Sequence, residues 1–200
     1  MYIGAVDSPL SRKQLTHDRI VTTAARAIRR GGFHGVGVAD IMKEAGLTHG
    51  GFYAHFASRN ALLTEALDRA GEEGAARVAK EVATRRKQGA SAFRALVEGY
   101  LAKRHLGASE RMCAVAALAS EMPRQSPEVR EAAAQRVRGL VSMVAQSLPA
   151  DVPTASAPVI ACQLVGALQL SRALGDNAEG RALLAATRDA LLAQYDRPAR

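Results

Sequence analysis

The sequence predicts an all-α protein: a small N-terminal three-helix head joined by a long helix to a larger helical body, about nine helices in all. Three observations carry that expectation. The chain is 48% hydrophobic but only 4% aromatic, with no Trp, so its core must be built mainly from Ala, Leu and Val, without the β-branched alternation of strands. Apolar residues recur at three- and four-residue spacing, as in Val38, Ile41, Met42 and Ala45. Gly, Pro and capping Ser or Asn fall between the periodic runs, where helices stop and start.

Residues 1–10 read as a flexible N-terminus, with Pro9 just before Ser11-Arg12-Lys13. A first helix follows from Leu15 to Arg30, with Ile20, Ala24, Ala27 and Ile28 on one face and Gly31-Gly32 ending it. The stretch GGFHGVG lacks a preceding strand, a GxGxxG spacing and a GK[ST] ending, so it is a tight connector and not a nucleotide loop. Phe33 within it is expected to plug the head, a burial worth about 1.5–3 kcal/mol. A short helix over 38–45 stops at Gly46, which reaches the left-handed conformation of a C′ position without steric cost. Leu47 then plugs the corner, and Thr48 is expected to cap a second helix over about 49–56. Phe52 and Phe56 lie on the inner face of that helix, leaving its other face free. Two short helices joined this way are the plan of a helix-turn-helix DNA reader.

Ser58 opens a long helix to about Arg86, with Leu62, Leu63, Ala66 and Leu67 toward the head. Gly71 and Gly74 each cost about 1 kcal/mol relative to Ala and are expected to mark a bend. Arg85-Arg86-Lys87 reads as solvated cations at a helix end. Body helices are expected at 91–106, 109–122, 126–148, 156–174 and 178–195, delimited by prolines, Gly175 and a capping Asn177. The division expected is 1–10 flexible and 11–57 DNA-binding, with 58–200 a larger helical body, effector-binding and dimerising by the family resemblance that follows.

Residues 46–63, GLTHGGFYAHFASRNALL, resemble the recognition helix and following helix start of the TetR/AcrR (tetracycline repressor) transcriptional regulators. Gly46, Thr48, Gly50, Phe52, Tyr53, His55, Phe56 and Ser58 match that pattern, and the resemblance covers roughly residues 12–70. The chain departs from it at His49, Gly51, Arg59 and Asn60, where the family often has Lys, Ser or Thr, Lys, and an acidic residue. Those departures shift base reading toward backbone approach, thymine methyl contact and DNA shape. The resemblance implies a sequence-specific DNA-binding regulator, a repressor released from its operator when a small molecule in the body pulls on the long helix. It also implies a homodimer, in which the last two helices form a four-helix bundle with the second subunit.

Candidate DNA-binding residues follow from the free face. Thr48, His49 and Gly50 offer backbone N–H groups, and Gly50 and Gly51, lacking Cβ, allow close approach. Tyr53 suits a phosphate and a thymine methyl, or else packs. His49 suits a base or phosphate, and His55 serves either there or as a half-buried helix residue. Lys13 and Arg59 read as phosphate clamps, with Thr16 and His17 as secondary contacts. A net charge of +8 favours a polyanionic partner, here double-stranded DNA of two-fold or pseudo-palindromic sequence. Residues 1–60 carry net +4, as do the other 140, so charge is denser in the head.

Helix 156–174 is apolar nearly all round, which suits either a dimer surface or a central core helix. Leu164, Gly166, Ala167 and Leu168, with Leu184 and Leu191 from the last helix, are the expected interface. Leu96, Tyr100, Met112, Cys113, Ala116 and Met143 are the expected ligand pocket, and few aromatic or acidic residues there argue for an uncharged or lipophilic effector. Cys113 and Cys162 form no paired motif and read as small buried hydrophobes; alternatively Cys113, near Arg111, is a redox or electrophile switch. The histidines at 17, 34, 49, 55 and 105 form no HExxH, Cys-His cluster or nucleophile elbow, so no enzyme, cofactor or metal site is expected. No apolar run approaches the roughly 18 residues that span a bilayer, and the start lacks a signal-peptide pattern, so a cytoplasmic protein is expected.

Overall fold

Ser11 and Gln14 start the first helix by capping each other. The Ser11 hydroxyl accepts from the Gln14 backbone N–H at 3.2 Å, and the Gln14 side chain accepts from the Ser11 N–H at 2.7 Å. This satisfies two free donors at once and sets the start at Arg12, a turn earlier than the expected Leu15. The computed structural model describes residues 11–107 and 110–196, so the expected flexible residues 1–10 lie outside the described residues. Its helices are α1 (Arg12–Gly31), α2 (Val38–Glu44), a 3-10 segment (His49–Ala54), α3 (Arg59–Arg86), α4 (Ala92–Tyr100), α5 (Ala114–Leu118), α6 (Pro127–Ser147), α7 (Ala157–Leu174) and α8 (Ala178–Tyr195). Three short 3-10 turns connect them, and the described residues contain no strand.

Two apolar cores are strung along α3. The first gathers Ile20, Ala24 and Ile28 of α1, Ile41 and Met42 of α2, the connector's Phe33, and Leu62, Leu63, Ala66 and Leu67 of α3. It does not stop at the head, because Leu118 of α5 and Val129 and Ala133 of α6 join it. The second joins α4 through α8, with Val78 and Val82 of α3 packed against it. A movement of α3 is therefore felt by both cores.

No break marks the expected bend in α3, which runs on through Gly71 and Gly74. Gly71 instead makes room for α6: a Cβ there would sit 2.5 Å from Nη1 and 2.6 Å from Cδ of Arg136, whose guanidinium reaches Asp68 at 3.3 Å. The expected helix over 91–106 stops at Tyr100, since Ala102 is extended, and resumes only as a 3-10 turn. The expected helix over 109–122 contracts to Ala114–Leu118, because Cys113 has the non-helical backbone of an N-cap, φ −55° and ψ 127°. Neither cysteine is the buried hydrophobe expected. Cys113 is half-buried and Cys162 is exposed.

One expectation about membranes is also corrected. By length and composition Thr154–Leu174 is apolar enough to cross a bilayer, with a mean hydropathy of 1.3. In this fold the helix packs on α5, α6 and α8, and 39% of its most apolar stretch is buried.

Candidate nucleic-acid interface and effector cavity

Gly46 fixes how the reading segment leaves α2. At φ 72° its N–H donates to the Lys43 carbonyl at 3.0 Å, and the Leu47 N–H donates to the Met42 carbonyl at 2.9 Å, a Schellman stop. The next segment is a six-residue 3-10 helix, His49–Ala54, and not the expected α-helix over 49–56. Two consecutive glycines are poor helix formers, and the Gly51 N–H closes a tight bond to the Thr48 carbonyl at 3.1 Å. The Thr48 hydroxyl makes no cap. The expected inner face survives: Phe52 and Phe56 are buried, with ring centroids 5.5 Å apart.

On the outer face Thr48, His49 and Gly50 are exposed, and Tyr53 is 72% exposed. The edge of the Tyr53 ring meets Phe52 at 5.2 Å, which anchors the residue without burying it. The side-by-side glycines are not demanded by the protein itself. A Cβ at Gly50 would meet nothing within 4 Å, one at Gly51 would make only ordinary contacts, and neither glycine has positive φ.

Other expected DNA contacts turn inward. Arg59 is corrected from a phosphate clamp to a structural brace, since its guanidinium donates to the carbonyls of Phe33 and Val36 in the connector. His17 holds Glu65 at 2.6 Å and stacks on Phe56 at 4.5 Å, while the Thr16 hydroxyl donates to the Arg12 carbonyl at 2.9 Å. His55 is half-buried, and its Nδ1 is buried without a partner. Burial, then the nearby His17 and Lys13, holds its pKa below the usual histidine value. Lys13 remains exposed.

Sequence reasoning missed the ties between head and body, which only tertiary contact reveals. Arg29 of α1 is buried and donates to Glu73 of α3 at 2.6 Å. Arg30 joins Glu44 at 2.7 Å and also Glu110. The Phe33 N–H donates to the Glu121 carboxylate at 2.9 Å, and that carboxylate occupies the space a Cβ at Gly32 would need.

A cavity of about 520 Å³ opens between α3, α4 and α6 near the start of α5. Of the six expected pocket residues Tyr100, Cys113 and Met143 line it. Leu96, Met112 and Ala116 are buried in the second core instead, since apolar character alone does not separate a cavity wall from a packed core. The wall is also more charged than expected. Arg77, Lys80, Arg104, Arg111 and Arg136 line it together with Glu72 and Glu81, so the expected scarcity of charge there does not hold. Among the described residues no group of three or more His, Cys, Asp or Glu could hold a metal.

The expected dimer residues need a similar correction. Leu164, Ala167 and Leu168 of α7, with Leu184 and Leu191 of α8, are buried within their own subunit. Of that set only Gly166 has open space beyond it. The opposite face of α7 is bare: Val159 is 56% exposed and Leu170 61%, with Cys162 and Leu174 beside them.

Residues 20–66 match the family described as bacterial regulatory proteins, tetR family. An uncharacterized HTH-type transcriptional regulator of Mycobacterium tuberculosis is 29% identical over 170 residues, covering 80% of this chain and 85% of that protein. Among solved structures, reduced NemR of E. coli superposes with a TM-score of 0.72 at 18% identity, covering 92% of this chain and 99% of that one. A TetR transcriptional regulator from Chloroflexus aurantiacus gives 0.70 at 21% identity, covering 92% and 96%. The matched residues contain the Gly46 corner and the exposed reading segment, and the likeness of fold extends through the body. The head of this chain thus matches the tetR family of bacterial regulatory proteins over residues 20–66, and the fold of the whole is that of solved TetR regulators.

Proposed function

We propose that this protein is a cytoplasmic repressor that binds a two-fold operator as a homodimer and releases it when a small molecule enters the α3–α4–α6 cavity. The carrying observation is the outer face of His49–Ala54, with its exposed His49, bare Gly50 and anchored but accessible Tyr53. Tyr53 supplies a ring for a thymine methyl and a hydroxyl for phosphate, and the two glycines admit the groove wall. Lys13 acts as a phosphate contact at the start of α1. Fluorescence anisotropy with the DNA flanking its own gene tests the reading: His49→Ala with Tyr53→Ala should lose sequence preference while staying folded. Full, specific binding by that variant at physiological salt would refute it.

Coupling to the body runs through α3, which carries both cores, and through Arg29–Glu73. Dimerisation uses the bare face of α7 together with α8, in place of the leucines first expected. A second reading is favoured by one observation: Cys113 is half-buried on the cavity wall, open to a small oxidant or electrophile. Mass spectrometry after mild oxidant or electrophile treatment separates the two. An unmodified Cys113 with unchanged operator affinity removes the thiol switch.

A further inference from the structure

The cavity has two unlike ends. Val78 of α3, Val115 of α5, Leu140 and Met143 of α6 and Leu168 of α7 give it an apolar wall, while Arg77, Arg111, Tyr100 and Cys113 converge as its polar part. Tyr100 is 6% exposed, and its buried hydroxyl has no well-formed hydrogen bond, only the weakly polar Cys113 thiol beside it. Buried hydroxyls are normally satisfied, so this one lacks an acceptor.

The cations are short of counter-charge too. Arg77 donates to the Arg111 carbonyl at 2.9 Å, but Glu73 lies 3.8 Å from it and is held at 2.6 Å by the buried Arg29. Arg111 is exposed, and no carboxylate pairs with it among the described residues. Two other arginines on the wall are already matched: Arg104 joins Glu81 at 3.3 Å, and Arg136 joins Asp68 at the same distance. Burial and the like charges of Arg29 and Arg111 depress the Arg77 pKa, the direction that an added anion would reverse. Of the two wall carboxylates, Glu81 is occupied by Arg85 and Arg104, and Glu72 is 72% exposed with Arg69 at 3.8 Å, away from the buried Tyr100 end.

We infer that this cavity takes an amphipathic organic anion, its carboxylate-sized head held by Arg77, Arg111 and the Tyr100 hydroxyl and its apolar body lying along Val78, Leu140 and Met143. The inference rests on reading the cavity as the effector site. A volume of about 520 Å³ falls within the range of small-molecule sites, which combine an apolar lining with a few converging polar groups. Arginine remains charged at all accessible pH and presents a fork that matches a carboxylate.

Three probes with one tail and different heads test this on the full-length protein: decanoate, decan-1-ol and decyltrimethylammonium, by calorimetry and by operator release. Decanoate should bind at least about tenfold tighter than the alcohol, as expected for hydrogen bonds to a charged group. The ammonium compound should bind weakest. Arg111→Gln, an exposed change that leaves the fold intact, and Arg77→Gln should each reduce that preference, and together bring decanoate to the level of the alcohol. Tyr100→Phe should weaken decanoate without lowering thermal stability, since it deletes an unsatisfied hydroxyl. Equal binding of all three probes, no binding of any, or an anion preference unmoved by the double arginine variant would overturn the inference. Selective decanoate binding without operator release would instead leave the anion site standing and remove the effector reading.

Discussion

Gly50 is a residue whose glycine character has no use inside its own subunit. Its φ is not positive and a Cβ would meet nothing within 4 Å, so Gly50→Ala should fold and gain roughly 0.5–1 kcal/mol by losing backbone freedom in the unfolded chain. If the bare backbone exists for DNA, the same change should weaken operator binding about tenfold, the equivalent of about 1.4 kcal/mol. Thermal melting and anisotropy would then move in opposite directions, and unchanged operator affinity would sink the close-approach argument. His55 gives a second residue-scale prediction. Its folded pKa lies below the usual 6.5, so the unfolded chain binds the extra proton first as pH falls. The stability this contributes is present above about 6.5 and is lost as pH drops through the window below it. His55→Phe should flatten the fall in Tm between about pH 7.5 and pH 5.

At the scale of elements, Arg59 and Lys13 should separate cleanly although both read as phosphate clamps in the sequence. Arg59→Ala leaves the Phe33 and Val36 carbonyls without their donor and should cost about 1–3 kcal/mol, with little change in the salt slope of DNA binding. Lys13→Ala should leave stability alone and lower that slope by roughly one unit. Chemical denaturation and operator titrations over a salt series check both. A loss of slope in the Arg59 variant at full stability would restore its role as a clamp. The contrast shows what was legible in the sequence. Gly46, Ser58 and Asn177 were readable as punctuation because each acts within three or four residues of itself, and the helix starts at Ser58 and Asn177 carry the caps expected. The 3-10 form of His49–Ala54 follows from the local glycine pair, whereas the break at Ala102 depends on how Tyr100 is received by other helices. Periodicity alone does not report that.

For the whole molecule the decisive question is what covers α7. The sequence marks this helix as apolar nearly all round, but the leucines it singles out face inward: Leu164 is 0% exposed, Leu168 2% and Leu184 2%. A helix apolar all round has two faces to bury, and a single chain covers one of them. Val159, Gly166 and Leu170 recur at helical spacing on the other, and Gly166 leaves open space where a second helix could approach closely. Leu170→Arg should therefore yield a folded monomer, with unchanged helical circular dichroism and a halved mass in sedimentation velocity. Its operator binding should fall steeply, because one head then engages one half-site where two heads set about 34–36 Å apart by the dimer would engage both. Leu164→Ala is the control: an internal cavity costing about 2–5 kcal/mol, with the dimer preserved. Exposed Cys162 adds a direct readout, since a short bis-maleimide should link two subunits through it in the wild type and fail to do so in Leu170→Arg. Monomerisation by Leu164→Ala together with an intact dimer in Leu170→Arg would show that the subunits meet on some other face.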